Sequence, residues 1–257
     1  MTDIEHSALD IGHWTLDFGL WTEAHMTRKT NARLAGFMFL FYIVTGITSL
    51  VLFNQATGGG EEFAKLKTIA QHATLMRLTV LLTLCGFVSA VVIAVTIYAL
   101  TRDEDRDLAM IALCCRVSEG VIAAVSATRT LQLLSLATTA TGAATPDGAA
   151  YALGGLLLEQ EGWTGSIAAI CFVMGSTIYC YLFLRARSIP VPLAWLGLLA
   201  SVLLLVALPL ELAGVVKAPF LIWIPMLVFE LAFALWLIIK GVKPPNHATE
   251  NGAVARA

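Results

Sequence analysis

Residues 34–53, LAGFMFLFYIVTGITSLVLF, run for twenty positions without a charge, and their reading decides the fold. About 20 apolar residues is what a helix needs to cross a hydrocarbon core, where it satisfies every backbone amide within its own segment. Five further runs of this kind follow, at 78–100, 108 to about 136, 163–184, 193–216 and 220–239. Composition points the same way. Of 257 residues, 58% are hydrophobic and 13% charged, with a mean hydropathy of +0.80. That is too apolar for the polar skin a water-soluble globule of this size requires, and it excludes a soluble enzyme, a secreted disulfide scaffold and a disordered chain. A formal net charge of -2 excludes nucleic acid as a partner, because phosphate binding needs a concentrated basic face. The expected fold is all-α, a polytopic bundle of six transmembrane helices whose obligatory partner is the lipid bilayer.

Orientation follows from lysine and arginine, which cytoplasmic segments retain during insertion. Arg28, Lys29, Arg33, Arg102, Arg106, Arg185, Arg187, Lys240, Lys243 and Arg256 fall on one side; Lys65, Lys67, Arg77 and Lys217 fall on the other. Both termini are therefore expected in the cytoplasm. The acidic run Asp103, Glu104, Asp105 carries little weight in this rule. Connections on the cytoplasmic side are only a few residues long, which makes consecutive helices antiparallel neighbours.

The two long outer loops carry patterns of their own. After Gly58-Gly59-Gly60, the residues Phe63, Leu66, Ile69, Ala73 and Met76 recur at helical spacing while Glu61, Glu62, Lys65 and His72 face elsewhere. This is the pattern of a helix lying in the interface. A weaker amphipathic stretch at 147–160 predicts a second such helix in the third loop, and together the two would cover the outer side. No internal repeat argues for an inverted-repeat transporter.

The expected domains are an amino-terminal arm at 1–30, a membrane domain at 31–243 and a disordered tail at 244–257. The first 25 residues are acidic and hold Trp14, Phe18 and Trp21, without the basic start and continuous apolar stretch of a secretory signal. They read either as a cytoplasmic or interfacial arm whose rings touch headgroups, or as an extension with little structure. A start at Met26 would leave the membrane domain complete.

Four stretches, in this order, resemble an uncharacterised bacterial membrane family, domain-of-unknown-function family 4386. They are NARLAGFMFLFYIVTGITSLVLF at 31–53, CRVSEGVIAA at 115–124, RSIPVPLAWLGLLAS at 187–201 and FELAFALWLIIKGV at 229–242. The resemblance covers about 31–243 and leaves out the arm. It implies a six-helix bacterial inner-membrane protein of unknown activity, and it assigns a role to no residue.

Five charged residues fall inside the spans: Arg116, Glu119 and Arg129 in the third, Glu211 in the fifth and Glu230 in the sixth. Each costs about 2.5 to 3.5 kcal/mol near the bilayer centre on insertion scales, so each requires a partner or water. At 1.5 Å per residue, Arg116 and Glu119 lie roughly 12 to 17 Å from the cytoplasmic end of their span, and Glu230 roughly 15 Å from the outer end of its own. Arg116 and Glu119 are three apart and share a helical face. Two polar layers are expected between the third, fifth and sixth helices, an inner one of Arg116, Glu119 and Glu230 and an outer one of Arg129 and Glu211. Three carboxylates against two guanidiniums leave one negative charge in excess. A buried carboxylate without compensation takes up a proton, and Glu230 is the candidate. Pro209 and Pro225 precede Glu211 and Glu230 by two and five residues, where each would free a carbonyl and kink its helix beside a charge.

Absences narrow the chemistry. His6, His13, His25, His72 and His247 all lie outside the spans, which argues against intramembrane haem or metal ligation, and no cofactor is expected. Lys240 is at a span end, which disfavours a mid-membrane Schiff base. Of the histidines, His72 stands at the outer interface, either solvated or facing a substrate beside Glu61 or Glu62. Cys85, Cys114, Cys115, Cys171 and Cys180 fall within spans without a CxxC and read as small hydrophobes. Gly86, Ala90 and Ala94, Gly120 and Ala124, Gly165 and Ala169, and Gly197 and Ser201 are spaced by four and predict close helix contacts.

The charged centre supports three readings. The first is binding or passage of a small anionic or lipid-like molecule, with Arg116 and Arg129 as anion partners and Glu119 or Glu230 as proton-linked gates. The second is an intramembrane enzyme using Glu230 or Glu119 as acid or base. The third is a non-catalytic scaffold or sensor, with a membrane-protein partner, in which the charges tie helices together.

Overall fold

The computed structural model describes residues 27–58, 62–142, 148–217 and 219–243. Its helices are α1 (Arg28–Thr57), α2 (Glu62–Gln71), α3 (Ala73–Thr101), α4 (Arg106–Gly142), α5 (Gly148–Ala186), α6 (Val191–Leu212), a short 3-10 turn (Phe220–Trp223) and α7 (Ile224–Ile239). Six of these, counting the turn with α7, are long and apolar enough to cross a membrane. The expected arm and tail lie outside the described residues, save that 28–30 belong to α1. Thr27 caps α1 by accepting a hydrogen bond from the Thr30 amide, which satisfies one of the donors a helix start leaves open. At the other end Gly58 takes a φ of 63°, a left-handed geometry that favours glycine.

The six long helices close into a ring. In the order α1, α3, α4, α5, α6, α7 each packs on the next, and α7 returns to α1. Helices α1 and α4, with α3 between them, and α4 and α7, on opposite sides of the ring, do not meet backbone to backbone among the described residues. Side chains therefore decide what fills the middle. Outside, Phe37, Val44, Leu81, Val88, Leu199 and Val206 are exposed. An apolar belt of that extent suits lipid and not water, and the chain is a multi-pass membrane protein.

The half of the ring nearest the start of α1 is packed solid. Phe233 stands at its centre, its ring 5.3 Å from those of Phe183 and Phe229, 5.6 Å from Phe39 and 6.4 Å from Tyr179. Glycines bring the helices close enough for this. A Cβ on Gly36 would stand 2.6 Å from the Ala234 carbonyl oxygen, and one on Gly197 would stand 2.7 Å from Cys180 Sγ. At that end the acidic run is neutralised locally, Arg28 reaching Asp103 at 3.1 Å and Arg185 reaching Glu104 at 3.0 Å. Half-exposed pairs of this kind are worth up to about 1 kcal/mol.

The opposite end carries an extra layer. Helices α4 and α5, 37 and 39 residues long, reach about 55 Å, well past a hydrocarbon core of about 30 Å. Leu66, Ile69 and Met76 bury against Ala56, Leu133, Leu134 and Ala137. The amphipathic pattern in the first loop is thus split at His72, its first part forming α2 and its Ala73 and Met76 opening α3, and its apolar stripe is covered by the bundle. The second expected interfacial helix, at 147–160, is not separate: it forms the opening turns of α5. Alanine, leucine and glutamate give that segment enough helix propensity to continue without a break.

Candidate functional site

Arg116 is ten residues into α4, facing the middle of the ring, and is 1% exposed. Gly175 on α5 makes room for its stem, since a Cβ there would lie 3.3 Å from Arg116 Cγ. The guanidinium carbon lies 4.8 Å from the Phe172 ring centroid, 5.4 Å from Tyr42 and 5.9 Å from Phe39. Each desolvated cation–π contact is worth up to about 2 kcal/mol. One turn on, Glu119 places Oε2 2.6 Å from Arg116 Nη1, while its other oxygen accepts a hydrogen bond from the Tyr42 hydroxyl. The pair is close but poorly aligned: the three guanidinium nitrogens and Glu119 Oε2 have no partner in hydrogen-bond geometry. Charge and rings offset the burial of Arg116 without saturating its donors.

Glu230 approaches from α7. It is 7% exposed, its Oε1 is buried without a hydrogen-bond partner, and both Arg116 and Glu119 act on it electrostatically. Of the inner layer expected from the sequence, Arg116 and Glu119 form an ion pair on α4, and Glu119 and Glu230 line one cavity together with residues of α1 and α5. The fifth span, α6, stands between α5 and α7 in the ring and contributes no residue to the lining of that cavity.

The outer layer does not form. Arg129 donates to the Thr164 hydroxyl and reaches the Gln160 carbonyl on α5, its neighbour in the ring. Glu211 is exposed at the end of α6. Pro225 lies in the first turn of α7, where an amide has no intrahelical acceptor to lose, so it begins the helix and does not kink it. Pro209 is inside α6 but three residues from its end. His72 is exposed at the junction of α2 and α3, its Nδ1 2.9 Å from the Thr68 carbonyl oxygen, away from the charged centre; the side chains of Glu61 and Glu62 lie outside the described residues. Among the described residues no group of three or more His, Cys, Asp or Glu side chains is disposed to hold a metal ion.

Three cavities meet at this centre. The largest, about 480 Å³, runs from Tyr42 past Thr45, Ser49, Asn54, Thr79 and Thr83 toward the α2 end. A second, about 240 Å³, is bounded by Tyr42, Glu119, Phe172, Trp223 and Glu230; a third, about 230 Å³, shares Phe172, Trp223 and Glu230 with it and extends along Ile47, Leu50, Met226 and Leu227. Glycines expected to mark close contacts do not all do so. Gly120 does pack tightly, a Cβ there standing 3.2 Å from Ala90 Cβ, whereas Gly165 has nothing within 4 Å and Gly86 only the Tyr42 ring at 4.0 Å. All three line cavities, so only Gly120 combines a cavity wall with a close helix contact. Tyr42, Phe172 and Trp223 were not singled out in the sequence; the one available signal was that Tyr and Trp carry a polar handle into apolar spans.

Fold and centre together define a class: a multi-pass helical membrane protein with a buried Arg–Glu pair beside a partly open interior. Residues 34–241 match the family described as Domain of unknown function (DUF4386), and the chain belongs to that family. No curated protein and no solved structure matches it.

Proposed function

We propose that the protein binds a small lipid-like molecule at the cavities bounded by Glu119 and Glu230. The observation that carries this reading is Glu230, a residue that lines two cavities and whose Oε1 is buried without a protein hydrogen-bond partner. A buried charge left unpaired is costly, and a ligand group would offset that cost. Cavities of 240 and 230 Å³ that share three residues fall jointly within the roughly 300 to 1,000 Å³ of small-molecule sites. Binding is favoured over passage because the aromatic cluster around Phe233 fills the other half of the ring. The anionic alternative loses its receptors: Arg116 is sealed behind Glu119 and three rings, and Arg129 is engaged by Thr164.

The scaffold reading has one observation in its favour, the dense packing around Arg116, and it accounts well for the Arg116–Glu119 pair alone. On the membrane side of the proposal, both termini face the cytoplasm of a bacterial inner membrane. Native mass spectrometry of the purified protein tests the binding reading. It predicts a retained small molecule that is lost in Gly165→Leu, a variant that fills a cavity without touching a charge. A bare wild-type protein whose melting temperature is unchanged by Gly165→Leu would contradict it.

A further inference from the structure

The two smaller cavities differ from an ordinary lipid groove in the sign of their polar wall. Glu230 lines both and Glu119 lines the one of about 240 Å³, and neither cavity has a lysine, arginine or histidine in its lining. The single nearby cation, Arg116, lines neither; it is held on the far side of Glu119, with Phe172 and Tyr42 across its face. One positive charge thus stands against two carboxyl groups, and Glu230, which lines both cavities, has an Oε1 without a protein hydrogen bond.

Around that carboxyl the walls are aromatic. Phe172 and Trp223 line both cavities and Tyr42 lines one, while Ile47, Leu50, Met226 and Leu227 continue away from the charge. Ring faces carry negative potential and attract a cation, most strongly where water is excluded. An anion placed here would meet the carboxyl of Glu230, and in the cavity of about 240 Å³ that of Glu119 as well, a repulsive arrangement at low dielectric. A neutral head group could only hydrogen-bond the Glu230 carboxyl and would gain nothing from the rings. An ammonium satisfies the carboxylate and the rings together.

Building on the binding reading, we infer that the ligand is a small apolar amine in its protonated form, its ammonium paired with Glu230 between Trp223 and Phe172 and its hydrocarbon body lying along Met226 and Leu227. Glu119, already engaged by Arg116 and Tyr42, sets the field and does not contact the ammonium.

The test compares three water-soluble probes of similar shape, 2-phenylethylamine, 3-phenylpropionate and 2-phenylethanol, against the full-length protein in dodecyl maltoside. Calorimetry and the change in tryptophan fluorescence give the affinities. The expected result is binding of the amine in preference to the acid and the alcohol. Glu230→Gln should weaken it by on the order of 30-fold or more, as loss of one partner of a buried charge pair does. Gly165→Leu, which leaves every charge in place, should also weaken it and keeps the test decisive if Glu230→Gln fails to fold. Equal or tighter binding of the acid or the alcohol, lost in Gly165→Leu, would overturn the amine assignment and leave the binding reading standing. Amine binding unchanged by both substitutions, or no binding of any probe, would overturn the assignment as well.

Discussion

The Tyr42 hydroxyl on α1 donates to the Glu119 carboxylate on α4, joining two helices whose backbones do not meet. The bond crosses the ring between the packed aromatic half and the cavities, and it fixes the oxygen of Glu119 that Arg116 leaves free. Hydrogen bonds to charged groups are worth about 1.5 to 3 kcal/mol. Tyr42→Phe keeps the ring beside Arg116 and removes only this bond, so it should lower stability by about that amount. Thr45→Val, one turn on, removes only hydroxyl bonds to the Phe41 and Tyr42 carbonyls of its own helix and should cost less. Thermal unfolding of both variants in detergent checks the difference.

Glycines should separate by which half of the ring they occupy. Gly36→Ala drives a methyl group into the Ala234 carbonyl, an overpacking expected to cost about 1 to 3 kcal/mol. Gly165→Ala and Gly46→Ala enter open space and should be neutral or stabilising by up to about 1 kcal/mol, since alanine is the better helix former. Melting temperatures that fall equally at all three positions would refute the division into a packed and an open half.

Topology has a direct readout. Reporter fusions at both termini should be active only on the cytoplasmic side, and a single cysteine replacing Lys217 in an otherwise cysteine-free variant should react with an impermeant maleimide from outside. Cysteine replacing Arg187 should be protected in intact cells. The reverse pattern would invert the orientation drawn from the Lys and Arg count.

Most of the frame was legible in the sequence because bilayer crossing depends on length and hydropathy, which each segment carries alone. The six spans, the helical period in the first loop and the shared face of Arg116 and Glu119 all belong to that local level. Ring order does not. Which helix Arg129 meets depends on α5 standing next to α4, and no local pattern says so; hence the pairing of Arg129 with Thr164 in place of Glu211. The same blindness hid Tyr42, whose importance comes from meeting Glu119 on another helix. Small residues were ambiguous for a physical reason: a missing side chain permits either close approach, as at Gly36, or empty volume, as at Gly165.

The central claim is that the two buried glutamates differ, Glu119 being locked to Arg116 and Tyr42 while Glu230 is held for something other than the protein. Thermal unfolding of Glu119→Gln and Glu230→Gln in the same detergent, without added ligand, tests it most directly. Removing the charge of Glu119 strands Arg116 and should cost about 3 to 5 kcal/mol, whereas Glu230→Gln should lie within about 1 kcal/mol of the wild type or above it, because no protein partner is lost. Equal, large destabilisation by both would contradict the account and make Glu230 a structural tie like its neighbour.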